Sequence, residues 1–501
     1  MTETSPSLAR APILLLLALV FKAAWMGWIW WHGCLPSTSD SVCFKQPAYM
    51  RLHTPNFSIP SYSGQGPSIE IINSYPAAIY FYTNYAAYKL FGFSHNSSIA
   101  VDLIVHLAFC GLGSWALWRV TERQLPGILF LICSSEWLLT SGRPEEMGML
   151  LVLASLLALP RGAWGLAVSI LGLGLAGATS PGAALVGTTL LVAYDGSSRQ
   201  FDRAFRWRAA LLLTLPILLS AAIYIGYAWP HLAEAWQQDR ALRTSGFYTT
   251  LSALRLFRFN PIWASITAAT TLAAVVLAVY TRWRRPAWFP NGTPAASFVV
   301  AAAVSIAIGL TLNLLAQRLA YDYRHVFALA VASLSIATSW WITTEGHYSA
   351  ASWALALGLL VSGLPLQRDI VRHTLAPLAW NEESIAFDHA KRIVDEVVPP
   401  VATVGGDGSA WSLIDNGRPF LLTRTIARDR WPEYVISGTW SSIPAVAQTG
   451  FAANKLATEY EEITPEPRLP QDGCAVNLFG FKVPVATGRC DWYVRIWKRK
   501  P

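Results

Sequence analysis

The chain has 501 residues, of which 53% are hydrophobic and only 14% charged, and its mean hydropathy is positive at +0.36. A soluble globular chain carries roughly 25% charged residues, so this composition excludes that class and leaves a polytopic membrane protein. The formal net charge of +8 then requires no nucleic acid, because basic residues hold cytoplasmic loops and meet anionic lipids.

A membrane span needs about 20 mostly apolar residues. Such windows recur at 11–31, 98–118, 124–140, 146–160, 163–178, 180–194, 209–229, 261–280, 294–315, 325–342 and 350–366, which predicts about eleven transmembrane helices. The first follows Arg10 and has no small-residue cleavage site behind it, so a retained helix is expected and not a removed signal peptide. The 23 tryptophans and 18 tyrosines fit rings gathered at bilayer interfaces.

Between the first two windows lies a long loop, 32–97. Its "CLPSTSDSVCFKQPAYMRLHTPNFSIPSYSG" places Asp40 just past the membrane surface, with Lys45, Arg51 and His53 behind it. An aspartate after Ser-Thr-Ser reads as a helix N-cap, a role compatible with catalysis. Glu70 follows, then the tyrosine-rich segment 75–93. Its tyrosines, Asn84 and Lys89 are too polar for a lipid-facing span, so a helix lying at the interface is expected.

The stretch "LLTSGRPEEMGMLLVL" at 138–153 sets Arg143, Glu145 and Glu146 at the mouth between the third and fourth windows. A charge at a helix centre costs roughly 2.5 to 3.5 kcal/mol and marks a function. The plainer reading keeps these side chains at headgroup depth, with Arg143 paired to a carboxylate or a lipid phosphate. Glu146, next to Glu145 and on another face, is expected to tolerate glutamine.

Orientation follows from the loops. Arg199, Arg203, Arg206 and Arg208 lie two windows from Arg282, Arg284 and Arg285, hence on one side, which the positive-inside rule makes cytoplasmic. The N-terminus is then inside, and 32–97, 230–260 and 367–501 are outside. On that side Cys34 pairs with Cys43 and Cys474 with Cys490 where the compartment is oxidising; free thiols are the alternative. The last two flank a strand-like stretch able to fold back as a hairpin.

From about residue 370 the composition changes. A helical pattern at 383–397 precedes β-rich runs "VATV", "EYVISG" and "DWYVRIW", which predicts a small α/β domain outside the membrane. The organisation is therefore a transmembrane region, 1–369, and an extracytoplasmic domain, 370–501. "GGDGSA" lacks the Lys-Ser/Thr ending of a phosphate loop and reads as a turn.

An N-terminal helix, an acid in a large outer loop, an aromatic helix ending in "LFGFS", a string of helices and an outward tail together resemble the GT-C glycosyltransferases. Within them the layout is nearest to the protein O-mannosyltransferases and lipid A aminoarabinose transferases. The resemblance implies transfer of a sugar from a polyprenyl-phosphate carrier to a lipid, glycan or protein acceptor on the outer side, with inversion, in a multi-pass protein of a bacterial inner membrane. Asp40 matches the family's first-loop acid, the usual base, although Ser39 stands where a second acid is common. "SGRPEE" resembles the acid-bearing turn after the third helix, making Glu145 the second carboxylate. "SYPAAIYFY" resembles the segment carrying a Lys-Pro-Pro run, with Tyr75-Pro76 in place of the lysine and one proline.

The chemistry asks for the same residue types. Displacing a phosphate from an anomeric carbon needs a base at the acceptor hydroxyl and cations at the leaving phosphate. Outer-side candidates for substrate binding are Arg143, Glu70, Arg240, Arg243, Arg255, Arg258, Arg324, His325 and Lys22, the last within the first helix. Taken singly, snorkelling or pairing with Asp239 or Asp322 accounts for each cation; their accumulation on one face does not reduce so simply. No cofactor motif is present, and a divalent metal stays open, since one aspartate and one glutamate serve equally as base and orienter or as partial ligands.

Two other classes compete. A secondary transporter would carry an inverted repeat and helices broken at mid-depth, and no repeat is evident. A non-catalytic assembly protein would use the tail to hold a partner. Convergence of the loop acids on one outward site separates the enzyme from both.

Overall fold

The computed structural model describes residues 12–31, 39–55, 57, 77–134, 143–199, 202–229, 232–233, 261–284, 293–315, 319–344, 387–406, 408–414, 420–422, 431–438, 456, 458–465, 475–478, 481–484 and 494–501, with backbone alone at 39–43, 261–264, 266–267, 312–315, 319–326, 341–344, 387, 408–409, 412, 422, 437–438, 475–478 and 481–484. The chain is mainly helical. In order the helices are α1 (Ile13–Trp31), α2 (Ser39–His53), α3 (Ala78–Phe91), α4 (His95–Thr121), α5 (Gln124–Cys133), α6 (Glu145–Ala158), α7 (Gly162–Gly177), α8 (Pro181–Arg199), α9 (Arg203–Ala228), α10 (Pro261–Arg284), α11 (Pro294–Leu315) and α12 (Leu319–Thr344). A helix occupies every predicted window except 350–366, which lies outside the described residues. Among those residues, 4 segments are long and apolar enough to cross a membrane: Ile13–Trp31, His95–Thr121, Arg203–Ala228 and Pro294–Thr311.

Local chemistry sets the boundaries. Ser94 and Ser97 form a reciprocal capping box that starts α4 three residues before the predicted window: Ser97 N donates to Ser94 Oγ at 3.0 Å and Ser94 N to Ser97 Oγ at 2.8 Å. Such a cap is worth about 1 kcal/mol. Asp202 starts α9 in the same way, accepting from Phe205 N at 2.7 Å. The long first loop carries α2 and α3, and α2 begins at Ser39, so Asp40 lies in its first turn and not at the cap.

Helix packing relies on small residues. A Cβ on Gly148 of α6 would stand 2.7 Å from Ala183 Cβ, and one on Gly187 of α8 would stand 2.4 Å from Val152 Cγ2. These two glycines let α6 and α8 approach closely, as small residues do between membrane helices. The contact fixes α6 immediately after its two glutamates.

The two ends of the bundle differ in chemistry. At one, Leu14 N donates to Gln124 Oε1 at 3.1 Å, tying the start of α1 to the start of α5. At the other, Trp30 Nε1 donates to the Asn96 carbonyl at 3.0 Å, tying the end of α1 to the start of α4. The first end gathers arginines. Arg208 Nε and Nη2 grip Asp195 Oδ2 and Oδ1 at 2.8 and 3.0 Å, Arg199 adds a contact to Asp195 at 3.1 Å, and Arg208 Nη2 also reaches the Leu159 carbonyl at 3.1 Å. Arg123 donates to the Ser339 carbonyl at 3.3 Å and sits 3.6 Å over the Trp340 ring. Exposed Trp164 and Trp207 lie toward this end and Trp31 and Trp229 toward the other, as in aromatic belts.

Beyond α13 (Phe387–Val397) come β1 (Val404–Gly406), α14 (Gly408–Leu413), β2 (Phe420–Leu422), β3 (Tyr434–Gly438), β4 (Tyr460–Glu462), β5 (Ala475–Leu478), β6 (Phe481–Pro484) and β7 (Val494–Arg499). Five strands form one sheet in the order β2-β1-β3-β7-β4; β1 pairs parallel with β2 and β3, and β7 runs antiparallel to β3 and β4. β5 and β6 form an antiparallel hairpin, as expected between Cys474 and Cys490. "GGDGSA" is not an isolated turn: it takes the chain from β1 into α14. A Cβ on Gly406 would meet Ala410 Cβ at 2.6 Å, so only glycine lets the helix start so close to the strand. The core of this unit is shared with the first loop. Val394, Val404, Ile436 and Ile496 cluster with Tyr49 of α2 and Tyr88 of α3, and Phe93 packs on Trp411 with ring centroids 5.2 Å apart. The expected boundary at 369/370 lies outside the described residues.

Candidate functional site

Polar groups buried among apolar helices are costly unless partnered. The helices nearest the α2 end of the bundle hold a connected set of them. On α4, Asp102, His106 and Cys110 follow one another at intervals of four, so they form one stripe down a single face, and all three are buried. Each meets a different helix.

Asp102 faces α2 and α3. Lys45 Nζ stands 2.7 Å from Asp102 Oδ2, both side chains almost fully enclosed. Tyr80 OH donates to Asp102 Oδ1. Burial first, then the Asp102 carboxylate, holds the Tyr80 phenol well above its ordinary range, so it remains a donor. Asn84 and Tyr88 extend the α3 side: Asn84 Nδ2 donates to the Tyr80 carbonyl at 2.9 Å, and Tyr88 OH to Asn84 Oδ1 at 3.4 Å. The segment predicted as interfacial therefore turns Tyr80, Asn84 and Tyr88 inward, while Tyr82 and Lys89 are exposed.

His106 faces α6. Its Nδ1 lies 2.7 Å from Glu146 Oε1, within hydrogen-bond distance. Glu146 is thus enclosed and partnered, and it faces a different partner from Glu145, which meets Arg143. Nε2 lies 3.5 Å from Cys110 Sγ. Cys110 donates to Ser134 Oγ at 3.2 Å, and Lys22 Nζ of α1 donates to Ser134 Oγ at 2.8 Å and to the Leu131 carbonyl at 3.0 Å. Lys22 is held against the end of α5, where it closes this chain of contacts.

Arg143 and Glu145 stand at the entrance to α6. Arg143 Nε donates to Glu145 Oε1 at 2.8 Å, and Nη2 reaches the same oxygen. Both side chains are buried. The Arg143 guanidinium carbon lies 5.6 Å from the Phe44 ring centroid, a cation–π distance, and Phe44 meets Tyr80 edge to face at 6.4 Å. Through Phe44 the Arg143–Glu145 pair thus joins the Lys45–Asp102–Tyr80 cluster. Asp40 lies one turn before Phe44 along the α2 backbone.

Of the residues singled out from sequence, the structure brings Arg143 and Glu145 together with Lys45, and places Asp40 on the same helix as Lys45. Lys22 is tied internally. Arg324 and His325 are placed only by their backbone in α12, and Cys43 only by its backbone in α2. Glu70, Arg240, Arg243, Arg255, Arg258, Cys34, Cys474 and Cys490 lie outside the described residues. Asp102, His106 and Cys110 were not singled out; their signal is the spacing of four in "VDLIVHLAFC" within an otherwise apolar window. Among the described residues no three His, Cys, Asp or Glu side chains gather to hold a metal ion, and Asp102, Glu145 and Glu146 each already face a cationic or imidazole partner.

No protein-family model matches the sequence, and no curated protein matches it. Solved structures do resemble it. The oligosaccharyltransferase of Archaeoglobus fulgidus, in complex with zinc and sulfate, superposes with a TM-score of 0.52 over 96% of this chain and 88% of that one, at 13% identity. The same protein tethered to an acceptor peptide containing the NVT sequon gives 0.51 over 90% and 73%, at 14% identity. ArnT of Cupriavidus metallidurans bound to undecaprenyl phosphate gives a TM-score of 0.48 over 96% of this chain and 97% of that one, at 12% identity. At such identities the likeness is one of fold.

Proposed function

We propose that this chain, which has the GT-C glycosyltransferase fold, is an integral membrane glycosyltransferase that moves a sugar from a polyprenyl-phosphate carrier to a lipid, glycan or protein acceptor on the outer side of the membrane. The observation that carries the reading is the gathering of Arg143, Glu145, Lys45 and Asp102 where α2, α3, α4 and α6 meet, at the end of the bundle opposite the arginine cluster around Asp195. The positive-inside rule puts that cluster in the cytoplasm and the acids outside. The N-terminus is then cytoplasmic, and the unit from 370 onward is extracytoplasmic, seated on α2 and α3.

In the reaction the acceptor hydroxyl oxygen attacks the anomeric carbon as the bond from that carbon to the carrier phosphate breaks, with inversion. Asp40 takes the hydroxyl proton. The leaving polyprenyl phosphate keeps the electron pair and is met by a cation, for which Arg143 is the candidate at this end. Arg143 is held by Glu145 in the absence of substrate; exchange of that carboxylate for a phosphate frees Glu145 to orient the acceptor. Lys45, Asp102 and Tyr80 position α2 and so the turn that carries Asp40.

The test is incubation of the purified chain with a panel of polyprenyl-phosphate sugars and separate lipid, glycan and peptide acceptors, following release of the polyprenyl phosphate. Acceptor-dependent release with one donor is the expected result. A transporter would instead move a solute across vesicles without releasing any carrier.

A further inference from the structure

At the arginine end, away from the candidate site, the helices leave a cavity of about 400 Å³ between α4, α6, α11 and α12. Its walls are apolar, with Phe109, Leu117, Leu153, Phe298 and Ala332 among them, and two arginines, Arg119 and Arg161, stand at its rim. Both residues are exposed, and among the described residues neither has a carboxylate within ion-pair distance. Arg119 leans on Trp115, 5.9 Å from the ring, which holds its head at the rim. The volume falls in the range of small-molecule sites, roughly 300 to 1,000 Å³.

An apolar interior with two unneutralised cations at its rim matches an amphiphile with one chain in the cavity and an anionic head between the arginines. We infer that this cavity binds an anionic glycerophospholipid, one acyl chain among α4, α6, α11 and α12 and its phosphate on Arg119 and Arg161. A polyprenyl phosphate shares the head chemistry but not the fit, since its long chain exceeds a cavity of about 400 Å³. The inference needs the chain to lie in a membrane and does not depend on the reaction proposed above.

The test uses the purified full chain in detergent, exposed to phosphatidylglycerol, phosphatidylcholine or undecaprenyl phosphate and examined by native mass spectrometry. One phosphatidylglycerol per chain should be retained in preference to phosphatidylcholine. The surface double variant R119Q/R161Q should lower that retention by about tenfold or more while the protein stays monodisperse. Ala328→Phe, at a half-buried wall position, should displace both phospholipids. Equal retention of the two phospholipids, retention unchanged in R119Q/R161Q, or undecaprenyl phosphate bound in place of phosphatidylglycerol would each overturn the inference. None of these results bears on carrier release in the transfer assay, so the two proposals fail separately.

Discussion

The Lys45–Asp102 pair joins the first loop to the bundle, and its removal is open to measurement. Nζ and Oδ2 are 2.7 Å apart with side chains 2% and 6% exposed. In Lys45→Met the stem packing survives, but a buried carboxylate is left with Tyr80 as its donor, a change that costs about 3 to 5 kcal/mol. In Asp102→Asn the ammonium is the group left behind, with a similar cost. The double variant leaves neither charge uncompensated, and Asn Oδ1 still accepts from Tyr80, so its cost should fall well short of the sum. The expected coupling is about 2 kcal/mol or more, at the upper end of measured pairs. The assay is a double-mutant cycle by denaturant unfolding in micelles, followed by tryptophan fluorescence. Lys391 and Asp395, 3.0 Å apart with side chains 31% and 35% exposed, provide the comparison, for which about 0.3 to 0.5 kcal/mol is expected. A Lys45–Asp102 coupling no larger than that of the Lys391 pair would refute the argument that this pair anchors α2.

Glu146→Leu should destabilise the protein by about 1 to 3 kcal/mol, because the buried His106 Nδ1 then loses its hydrogen-bond partner; a melting curve identical to wild type would contradict the His106–Glu146 contact. Reporter fusions after Pro501 and within 230–260 should lie outside, and one near Arg203 inside. A cytoplasmic tail would reverse the assigned orientation. For the cysteines, alkylation without reductant should spare Cys474 and Cys490, and Cys34 and Cys43 as well, with mass spectrometry as the readout; free labelling of all four would remove both bridges.

Much of the fold was legible because the membrane imposes a length and a composition on each helix. The windows at 209–229 and 294–315 carry no charged residue and that at 11–31 only Lys22, and α1, α9 and α11 occupy them. Boundaries were less legible where a cap lies in polar sequence, as at Ser94, where two serines three residues apart start α4 early. The tail strands were visible as β-rich runs, but their shared core with Tyr49 and Tyr88 was not, since no local pattern reports a contact across more than 300 residues. At the candidate site, Arg143 and Glu145 stood out because charges interrupt an apolar stretch. Asp102 and His106 did not: they are two isolated polar residues in one hydrophobic window, and what makes them meaningful is the partners, Lys45, Tyr80 and Glu146, brought to them by other helices.

The central claim is that the acids at this end act on a lipid-linked sugar, and its most direct measurement is carrier release by wild type, Asp40→Asn and Glu145→Gln with the donor and acceptor that support turnover. A base is needed only when the acceptor is deprotonated, so Asp40→Asn should keep its fold and its carrier affinity while transfer falls by roughly 10² to 10⁴-fold; Glu145→Gln should lower transfer too. Wild-type rates in both well-folded variants would contradict the catalytic assignment.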